Sequence, residues 1–248
     1  MKAVGIIGCG AIGTLIAEAV EGGIVACDKL ILFDADLVKA EKLKKSLHVP
    51  VAIASSVEEM IKLNPTIIVE AASQQAAREY AGKIVAESID LIVMSVGALL
   101  DFPMRSSKIH IPTGAIGGLD AISSADLAGV SSVILVTRKN PRVLDLDNRE
   151  EKVVYEGDAK EAVRRFPREM NVAATLALTV KPEKVKVRVV SDPGVKRNVH
   201  EVMVRWRFGE MFFRFSNEPH PENPKTSALA AWSAIKLLKE FLEKDSRS

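Results

Sequence analysis

The sequence predicts an α/β chain of two domains: a doubly wound parallel sheet, then a smaller α+β domain built on a mainly antiparallel sheet. Three observations predict this architecture. Short apolar strands alternate with helical segments as far as Pro112, and a glycine-rich turn joins the first strand to the first helix. From Val133 onward, strands of alternating polar and apolar residues replace that pattern, as is typical of a sheet with one covered face.

The first strand leads into a turn with the spacing G-x-G-x-x-G, formed by Gly8, Gly10 and Gly13. This is the fingerprint of a Rossmann dinucleotide-binding domain. The first glycine allows the tight turn, the second lets a pyrophosphate approach the backbone, and the third lets helix and strand pack closely. Because the helix begins near Ala11, we expect the N–H groups of Ala11 and Ile12 to face the phosphates. A glycine turn that only packs strand against helix is the alternative.

The second strand is apolar and ends in Asp34. A carboxylate at this place binds the ribose 2′-hydroxyl in dinucleotide-binding units. It also repels a 2′-phosphate, so we expect NAD in preference to NADP. Lys39 and Lys42 follow in the next helical segment and leave NADP possible.

The alternation then continues to Pro112. We expect helices over 37–47, 57–63 and 74–87, and strands over 49–54, 66–70, 90–95 and 108–112. Ligands of such sheets bind beyond the carboxyl ends of the strands. The sequence therefore places the cofactor at the following turns: 8–13, Asp34, 71–73 with Ala72 and Ser73, 95–97 and 113–118.

The second glycine-dense stretch, 113–118, has two interpretations. It is either a hinge between domains or a backbone wall for the nicotinamide end of the cofactor. Beyond it we expect helices over 121–127, 158–166 and 172–178. We expect strands over 133–138, 153–157, 185–190, 199–208 and 211–215, with a turn at 209–210. Loops are expected over 139–151 and 217–225. Thr226 or Ser227 would cap a closing helix that packs on the first domain. The domains are thus placed at 1–117 plus 224–248, and at 118–223.

Composition narrows the class of protein. Apolar residues make up 48% of the chain, enough for a substantial core, and the net charge of +2 comes from charges of both signs spread along the sequence. A nucleic-acid or membrane-surface role would need a basic patch, so we expect neither. The two cysteines, Cys9 and Cys27, have no metal-site spacing, and we expect no metal. Without a signal peptide or a membrane-spanning apolar run, we expect a soluble, cytoplasmic protein.

His200 stands apart from the other three histidines. It shares a strand face with apolar residues, among them Val202, Val204, Trp206 and Phe208. Such an imidazole is either a hydrogen-bonded core residue or a site residue. Its titration near neutral pH suits proton transfer.

Two helix starts carry further candidates. Asn171 either caps a helix or offers its amide to a cofactor carboxamide. Lys225 and Thr226 precede the closing helix, where N–H groups and the helix dipole favour an anion. Ordinary capping is the alternative for the second pair.

Six segments taken together resemble the L-aspartate dehydrogenases. They are residues 8–13, 69–73, 114–120, 171–175, 198–201 and 223–227, which span nearly the full chain. The glycine motif is generic, whereas the other five in this order are specific. The resemblance implies NAD(P)-dependent oxidative deamination of L-aspartate to iminoaspartate, which hydrolyses to oxaloacetate and ammonia and supplies NAD biosynthesis.

The resemblance also implies roles for single residues. The catalytic histidine of that family falls on His200, and its cofactor contacts fall on Ala115 and Asn171. Family members are generally dimers that use the sheet of the second domain. We therefore expect a homodimer in which the second domain presents His200 to the nicotinamide. Substrate carboxylates need cationic or N–H donors, and Lys225 with Thr226 is our candidate for that site. The segment 139–149 matches no motif.

Two other functions stay open at this point. One is a related dehydrogenase or reductase for another small acidic substrate, such as homoserine dehydrogenase or dihydrodipicolinate reductase. The other is a non-catalytic NAD-binding redox sensor, because a fold alone does not imply chemistry.

Overall fold

The structure is a computed structural model that describes residues 2–102, 106–220 and 223–245. The chain divides into two compact units. The first comprises Met1–Pro112 and Ala231–Ser248, and the second Thr113–Ala230. Both domain boundaries expected from the sequence, after residues 117 and 223, fall within the second unit.

The first unit is built on a six-stranded sheet in which every neighbouring pair is parallel. Its strands are β1 (Ala3–Ile7), β2 (Lys29–Phe33), β3 (Val51–Ile53), β4 (Ile67–Glu70), β5 (Asp90–Val93) and β6 (Ile109–His110), in the order β3-β2-β1-β4-β5-β6. Strands β1 and β4 are buried along their whole length, as parallel strands covered on both faces must be. This arrangement confirms the predicted Rossmann domain.

Helices follow the strands as the sequence predicts. They are α1 (Ala11–Glu21), α2 (Leu37–Lys45), α3 (Val57–Lys62) and α4 (Gln74–Ala86). Two of them start at serine caps: Ser56 accepts the N–H of Glu59, and Ser73 accepts the N–H of Ala76, each at 3.1 Å. A side-chain oxygen at this position satisfies one of the free N–H groups of the first turn. The Ser73 cap matters for the site, because it begins α4 directly beside the end of β4.

The second unit is built on a five-stranded mixed sheet. Its strands are β7 (Val130–Lys139), β8 (Lys152–Asp158), β9 (Val185–Ser191), β10 (Asn198–Trp206) and β11 (Gly209–Asn217), in the order β11-β10-β7-β9-β8. Only β7 and β9 run parallel; the other neighbours are antiparallel. The α+β domain with a mainly antiparallel sheet is thereby confirmed. Helices α5 (Leu119–Ala128), α6 (Ala159–Arg165) and α7 (Asn171–Thr179) pack on the sheet.

The two faces of this sheet differ in chemistry. On the inner face, Leu135 and Val202 are fully buried. On the outer face, side chains of Ile134, Met203 and Phe212 are 40%, 36% and 61% exposed. The outer face thus leaves apolar area uncovered within this chain.

The expectation of an exposed loop over 139–151 is only partly correct, because residues 145–147 and 149–151 are exposed but Lys139 belongs to β7. A short 3₁₀ turn, Pro141–Leu144, buries both Pro141 and Val143. Farther along, the hydroxyl of Ser191 in β9 donates to the side chain of Asn148 at 2.6 Å. The polar composition of the segment conceals these apolar anchors, which tie it to the sheet.

Two boundaries near the end of the second unit also differ from expectation. The hairpin turn after β10 lies at 207–208, so the predicted turn residues Gly209 and Glu210 belong to β11. The expected proline-rich loop contains two short antiparallel strands, β12 (Pro219–His220) and β13 (Asn223–Ser227). Because β13 extends to Ser227, Lys225 and Thr226 lie in a strand, and their predicted place at a helix start is wrong.

The closing helix, α8 (Ala228–Asp245), belongs from Ala231 onward to the first unit. There the Lys2 ammonium donates to the carbonyl of Leu242 at 2.7 Å, and the ring of Phe241 meets His110 edge-on. The predicted return of this helix to the first domain is confirmed. In the described ranges, no helix combines the length and apolar character needed to cross a bilayer.

Candidate active site

The glycine turn of the first unit is shaped by close backbone contacts. Gly8 has φ +95°, and its N–H donates to the carbonyl of Phe33 in β2 at 2.8 Å. A Cβ on Gly13 would lie 1.9 Å from the carbonyl oxygen of Gly8, so helix and turn touch there. A Cβ on Gly10, in contrast, would meet no described atom within 4 Å. The turn therefore offers bare backbone at the position where a pyrophosphate approaches.

The first turn of α1 is open to an anion. Its cap residue is Gly10, and among the described residues the turn has no side-chain cap and no acidic residue. The N–H groups of a helix start and the helix dipole both favour negative charge. Ala11 and Ile12, which the sequence predicts as phosphate contacts, are the first two residues of this helix.

Asp34 directly follows β2 and is held against the glycine turn. One carboxylate oxygen accepts the N–H of Cys9 at 2.7 Å, and the other accepts the N–H of Asp36 at 2.8 Å. The acid and the glycine turn are thus one assembly, as the predicted ribose contact requires. Burial, with a smaller contribution from the negative charge of Asp34, raises the pKa of the Cys9 thiol to about 12. Cys9 is therefore an unreactive thiol that fills the turn.

A buried carboxylate organises the next part of the rim. Glu70, the last residue of β4, is 1% exposed and accepts the N–H groups of Ala72 and Ser73 at 2.9 Å. The N–H and hydroxyl of Ser95 also donate to it, at 3.0 and 2.9 Å. Burial raises the pKa of Glu70, and the four hydrogen bonds oppose that rise. Glu70 thereby fixes the loops after β4 and β5 to each other.

These observations bring four of the five predicted turns together in the first unit. The turns at 8–13, Asp34, 71–73 and 95–97 follow the carboxyl ends of β1, β2, β4 and β5 in one parallel sheet. The fifth, 113–118, belongs to the second unit. The bare backbone at Gly10, the open helix start and the oriented carboxylate of Asp34 fit a dinucleotide.

In the second unit, His200 lies on the inner face of the sheet at β10. It is 2% exposed, and its Nδ1 is 3.1 Å from the hydroxyl of Thr137, the residue that pairs with it on the neighbouring strand β7. Burial, and secondarily the positive charge of Lys139, lower the pKa of His200 to about 3. The imidazole is therefore neutral at physiological pH, and its Nε2 is the nitrogen that Thr137 does not engage.

The neighbours expected along the face of His200 are only partly correct. Val202 and Val204 are buried beside it, as predicted. Phe208 instead lies in the hairpin turn and is 68% exposed, because β10 ends at Trp206. Glu201 points to the opposite face and pairs with Arg214 at 3.2 Å, so it is no partner of the imidazole.

One end of the inner face is polar. Thr137 and Lys139 of β7 and Asn198 and His200 of β10 are all at most 2% exposed. The amide of Asn198 donates to the hydroxyl of Ser227 at a long 3.4 Å. A sheet whose inner face is otherwise aliphatic thus ends in a cluster of buried polar groups, and His200 is part of it.

The loop that carries Ala115 is positioned by the sheet's edge strand, β11. Asn217 donates its amide N–H to the carbonyl of Ala115 at 2.9 Å. Gly118 has φ +73°, and a Cβ there would lie 2.5 Å from the ring of Phe213. The loop 113–118 therefore packs closely within the second unit, with Ala115 held by a side chain from the polar end of the sheet.

The other predicted residues have mixed outcomes. Asn171 is the first residue of α7, but the cap position belongs to Met170, so the capping interpretation is wrong. The carbonyl of Asn171 accepts the hydroxyl of Thr175 at 3.0 Å. The side chains of Lys225 and Thr226 lie outside the part of the chain that the structure describes.

Sequence reasoning missed Lys139 and gave Glu70 no role of its own. The predicted strand ends at Arg138, which places Lys139 in the predicted loop. The alternation of Val133, Leu135 and Thr137 extends to position 139 and would have placed it on the inner face. The signal for Glu70 is an acid that ends an otherwise apolar strand. Among the described residues, no group of three or more acidic, histidine or cysteine side chains is placed to hold a metal ion.

Comparison with known proteins gives a similar division of the chain, except that the match covering the second unit extends into α8. Residues 120–241 match the family model described as aspartate dehydrogenase, C-terminal. Residues 8–109 match the model described as homoserine dehydrogenase, NAD binding domain. The first match contains the polar cluster around His200, and the second contains the glycine turn with Asp34 and Glu70.

Individual relatives match over almost the whole length. The L-aspartate dehydrogenase of Methanothermobacter thermautotrophicus is 42% identical, over 97% of this chain and 96% of the relative. That of Methanosarcina acetivorans is 40% identical, over 98% and 97%. The crystal structure of aspartate dehydrogenase from Thermotoga maritima has 31% identity and a TM-score of 0.75, covering 97% of this chain and 96% of its own. With identity at this level extending through both units, the chain belongs to the L-aspartate dehydrogenase family.

Proposed function

We propose that this enzyme oxidises L-aspartate with NAD to iminoaspartate, which water converts to oxaloacetate and ammonia. The observation that carries the proposal is the buried, neutral imidazole of His200 at the polar end of a sheet, in a chain whose other unit has a dinucleotide cradle. The relatives named L-aspartate dehydrogenase support the substrate. A role in supplying NAD biosynthesis fits the iminoaspartate product and belongs to the same proposal.

The cofactor contacts proposed in the first unit are Gly8, Gly10, Ala11, Ile12, Gly13, Asp34, Ala72 and Ser73. In the second unit they are Ala115 and Asn171. The orientation of the Asp34 carboxylate by Cys9 and Asp36 supports a preference for NAD, since a negative charge disfavours a 2′-phosphate. When bound, the nicotinamide accepts the hydride that leaves the substrate Cα.

His200 is the proposed acid–base group. In its neutral form it accepts a proton as the amino group becomes an imine, returns that proton to the imine nitrogen, and then accepts a proton from the water that attacks the imine carbon. The hydroxyl of Thr137 orients the ring through Nδ1, which leaves Nε2 for proton transfer. Buried surroundings keep bulk water away from the imidazole and preserve its orientation.

A substrate panel tests the proposed function. The purified enzyme is assayed for NADH formation with L-aspartate, L-glutamate, L-homoserine and L-malate, and for NADH consumption with oxaloacetate and ammonia. We expect L-aspartate to have the highest kcat/KM, and oxaloacetate to be consumed only when ammonia is present. Activity confined to another small acid would support a related dehydrogenase. Cofactor binding without turnover of any panel member would support a redox sensor.

Lys225 and Thr226 remain proposed substrate contacts, because a substrate carboxylate needs cationic or N–H donors. Their place in β13, beside the buried Ser227, keeps them in the second unit with His200. Lys225→Met in the same assay should raise KM for L-aspartate while KM for NAD stays the same. An unchanged KM for L-aspartate would remove Lys225 from the substrate site.

We also propose a homodimer formed through the outer face of the second unit's sheet. Ile134, Met203 and Phe212 leave apolar surface there, and exposed apolar patches commonly mark protein interfaces. Phe212→Glu should give a monomer in analytical ultracentrifugation. Leu127→Glu is the matched control, because Leu127 is 93% exposed on α5 and not on this face. A Phe212→Glu protein that sediments as the wild type does would contradict the interface.

A further inference from the structure

Lys139 is the buried cation of the second unit's polar cluster. It is the last residue of β7 and is 2% exposed, the same fraction as His200. Lysine is rarely buried to this degree, because removing an ammonium group from water costs several kcal/mol. Its position continues the inward alternation of Val133, Leu135 and Thr137, where packing alone favours an aliphatic residue.

The strand register brings Lys139 next to His200. Thr137 pairs directly with His200, and Lys139 is two residues farther along the same strand, on the same face. Diagonal neighbours of this kind have backbone positions about 7–8 Å apart, within reach of long side chains. A small molecule that contacts the imidazole therefore lies next to the ammonium.

We infer that Lys139 binds a carboxylate of the substrate, so that Lys139 and His200 together form a site for an acidic amino acid. The inference rests on the proposed function, and it names the residue that selects a negatively charged substrate. An ammonium–carboxylate hydrogen bond in surroundings closed to water is stronger than one at the surface. In this arrangement one carboxylate of L-aspartate would bind Lys139 and its amino-bearing carbon would lie near His200.

Electrostatics supports this arrangement. The positive charge of Lys139 helps to lower the pKa of His200. A carboxylate bound to Lys139 cancels much of that positive charge, and the imidazole then becomes a stronger base. Substrate binding would in this way prepare His200 for its proton transfer, while the substrate-free enzyme keeps the histidine neutral.

The test compares Lys139→Met with the wild type in steady-state assays. We expect KM for L-aspartate to rise about tenfold to a hundredfold, the loss for one charge-assisted hydrogen bond. KM for NAD should change less than about twofold. Lys186→Met is the matched control, because Lys186 lies on β9 of the same sheet with its side chain exposed, and it should behave as the wild type. A Lys139→Met enzyme with normal KM for L-aspartate overturns the inference.

A binding measurement separates this inference from the proposed function. Succinate, a dicarboxylate that cannot be oxidised at an amino-bearing carbon, is titrated calorimetrically into the enzyme–NADH complex. The wild type should bind succinate at least about tenfold more tightly than Lys139→Met. Equal affinities contradict the inference even where L-aspartate is turned over. Where the wild type does not oxidise L-aspartate, the proposed function fails while tighter succinate binding still supports the carboxylate site.

Folding of the variant is checked by thermal melting, and Lys139→Arg supplies a second comparison. Arginine keeps the positive charge, so it should restore a substantial part of the succinate affinity lost in Lys139→Met. If the methionine variant does not fold, the arginine and glutamine variants are compared instead. Equal succinate affinity in those two would count against a role for the charge.

Discussion

A histidine that is buried away from water stays neutral, because its charged form would lose its hydration, and His200 is such a residue. Its hydrogen bond to Thr137 fixes the ring, and burial together with the charge of Lys139 holds its pKa near 3. The same surroundings that keep the imidazole neutral also lower the stability of the folded protein in acid. Below neutral pH, His200 binds a proton in the unfolded chain but not in the folded chain, so acid favours the unfolded chain.

This linkage gives a stability prediction for His200. An unfolded histidine titrates near 6.5, so its contribution to stability is present above that pH and is lost as the pH falls toward 3. Between pH 7 and pH 5 the wild type should lose roughly 2 kcal/mol more free energy of unfolding than His200→Gln, which cannot take up a proton. Urea unfolding at the two pH values measures the difference. Equal losses in both proteins would mean that His200 takes up a proton in the folded state as readily as in the unfolded chain.

Asp34 carries the second prediction at the scale of single residues. Asp34→Ala removes both a ribose hydrogen bond and the charge that repels a 2′-phosphate. We expect the ratio of kcat/KM for NAD to kcat/KM for NADP to fall by about tenfold or more. Lys39→Ala is a useful comparison, because it removes a nearby cation and should shift the ratio toward NAD. A ratio unaffected by Asp34→Ala would exclude the carboxylate from cofactor selection.

At the scale of elements, two glycines of the same turn have different roles: Gly13 is needed for stability and Gly10 for cofactor binding. Gly13 touches the carbonyl of Gly8, whereas Gly10 faces open space and has φ −83°, which alanine adopts without strain. Gly13→Ala should therefore lower the melting temperature. Gly10→Ala should melt as the wild type does but bind NADH more weakly, because its methyl group occupies the approach of the pyrophosphate. Fluorescence titration and calorimetry measure the two effects, and normal NADH affinity in Gly10→Ala would contradict the cradle.

Elements also show what the sequence can and cannot predict. The strands and helices of the first unit were predictable because buried parallel strands are apolar throughout and Ser56 and Ser73 cap the helices after them. The mixed sheet of the second unit followed from alternation. The pair β12 and β13 was not predictable, since strands that contain prolines contradict ordinary propensities. The end of β7 was obscured by its buried lysine, although the alternation of the strand extends to it.

The candidate site likewise has residues that the local sequence predicts and contacts that only the fold reveals. Gly8, Gly13 and Asp34 were found because their spacing follows from the geometry of one local unit. The hydrogen bond between Thr137 and His200 joins residues 63 positions apart, and the one from Asn217 to Ala115 joins residues 102 apart. Such contacts depend on the register between strands that are distant in the sequence, and a short stretch of sequence does not predict that register. His200 was singled out by its type and face, but its partners needed the fold.

At the scale of the whole molecule, the proposed reaction draws on residues of both units. The first has a dinucleotide cradle built at the carboxyl ends of its parallel strands, and the second has a buried histidine and lysine at the polar end of its sheet. Family membership extends over both units, since relatives match from one end of the chain to the other. The central claim is therefore that the hydrogen on the substrate Cα is transferred to the cofactor.

Deuterium transfer tests that claim most directly. The enzyme is incubated with NAD and L-aspartate carrying deuterium at Cα, and the NADH formed is analysed by mass spectrometry and proton NMR. We expect one deuterium per NADH, at C4 of the nicotinamide ring, and His200→Gln should form labelled NADH far more slowly. Unlabelled NADH, or no NADH from L-aspartate, would contradict the account.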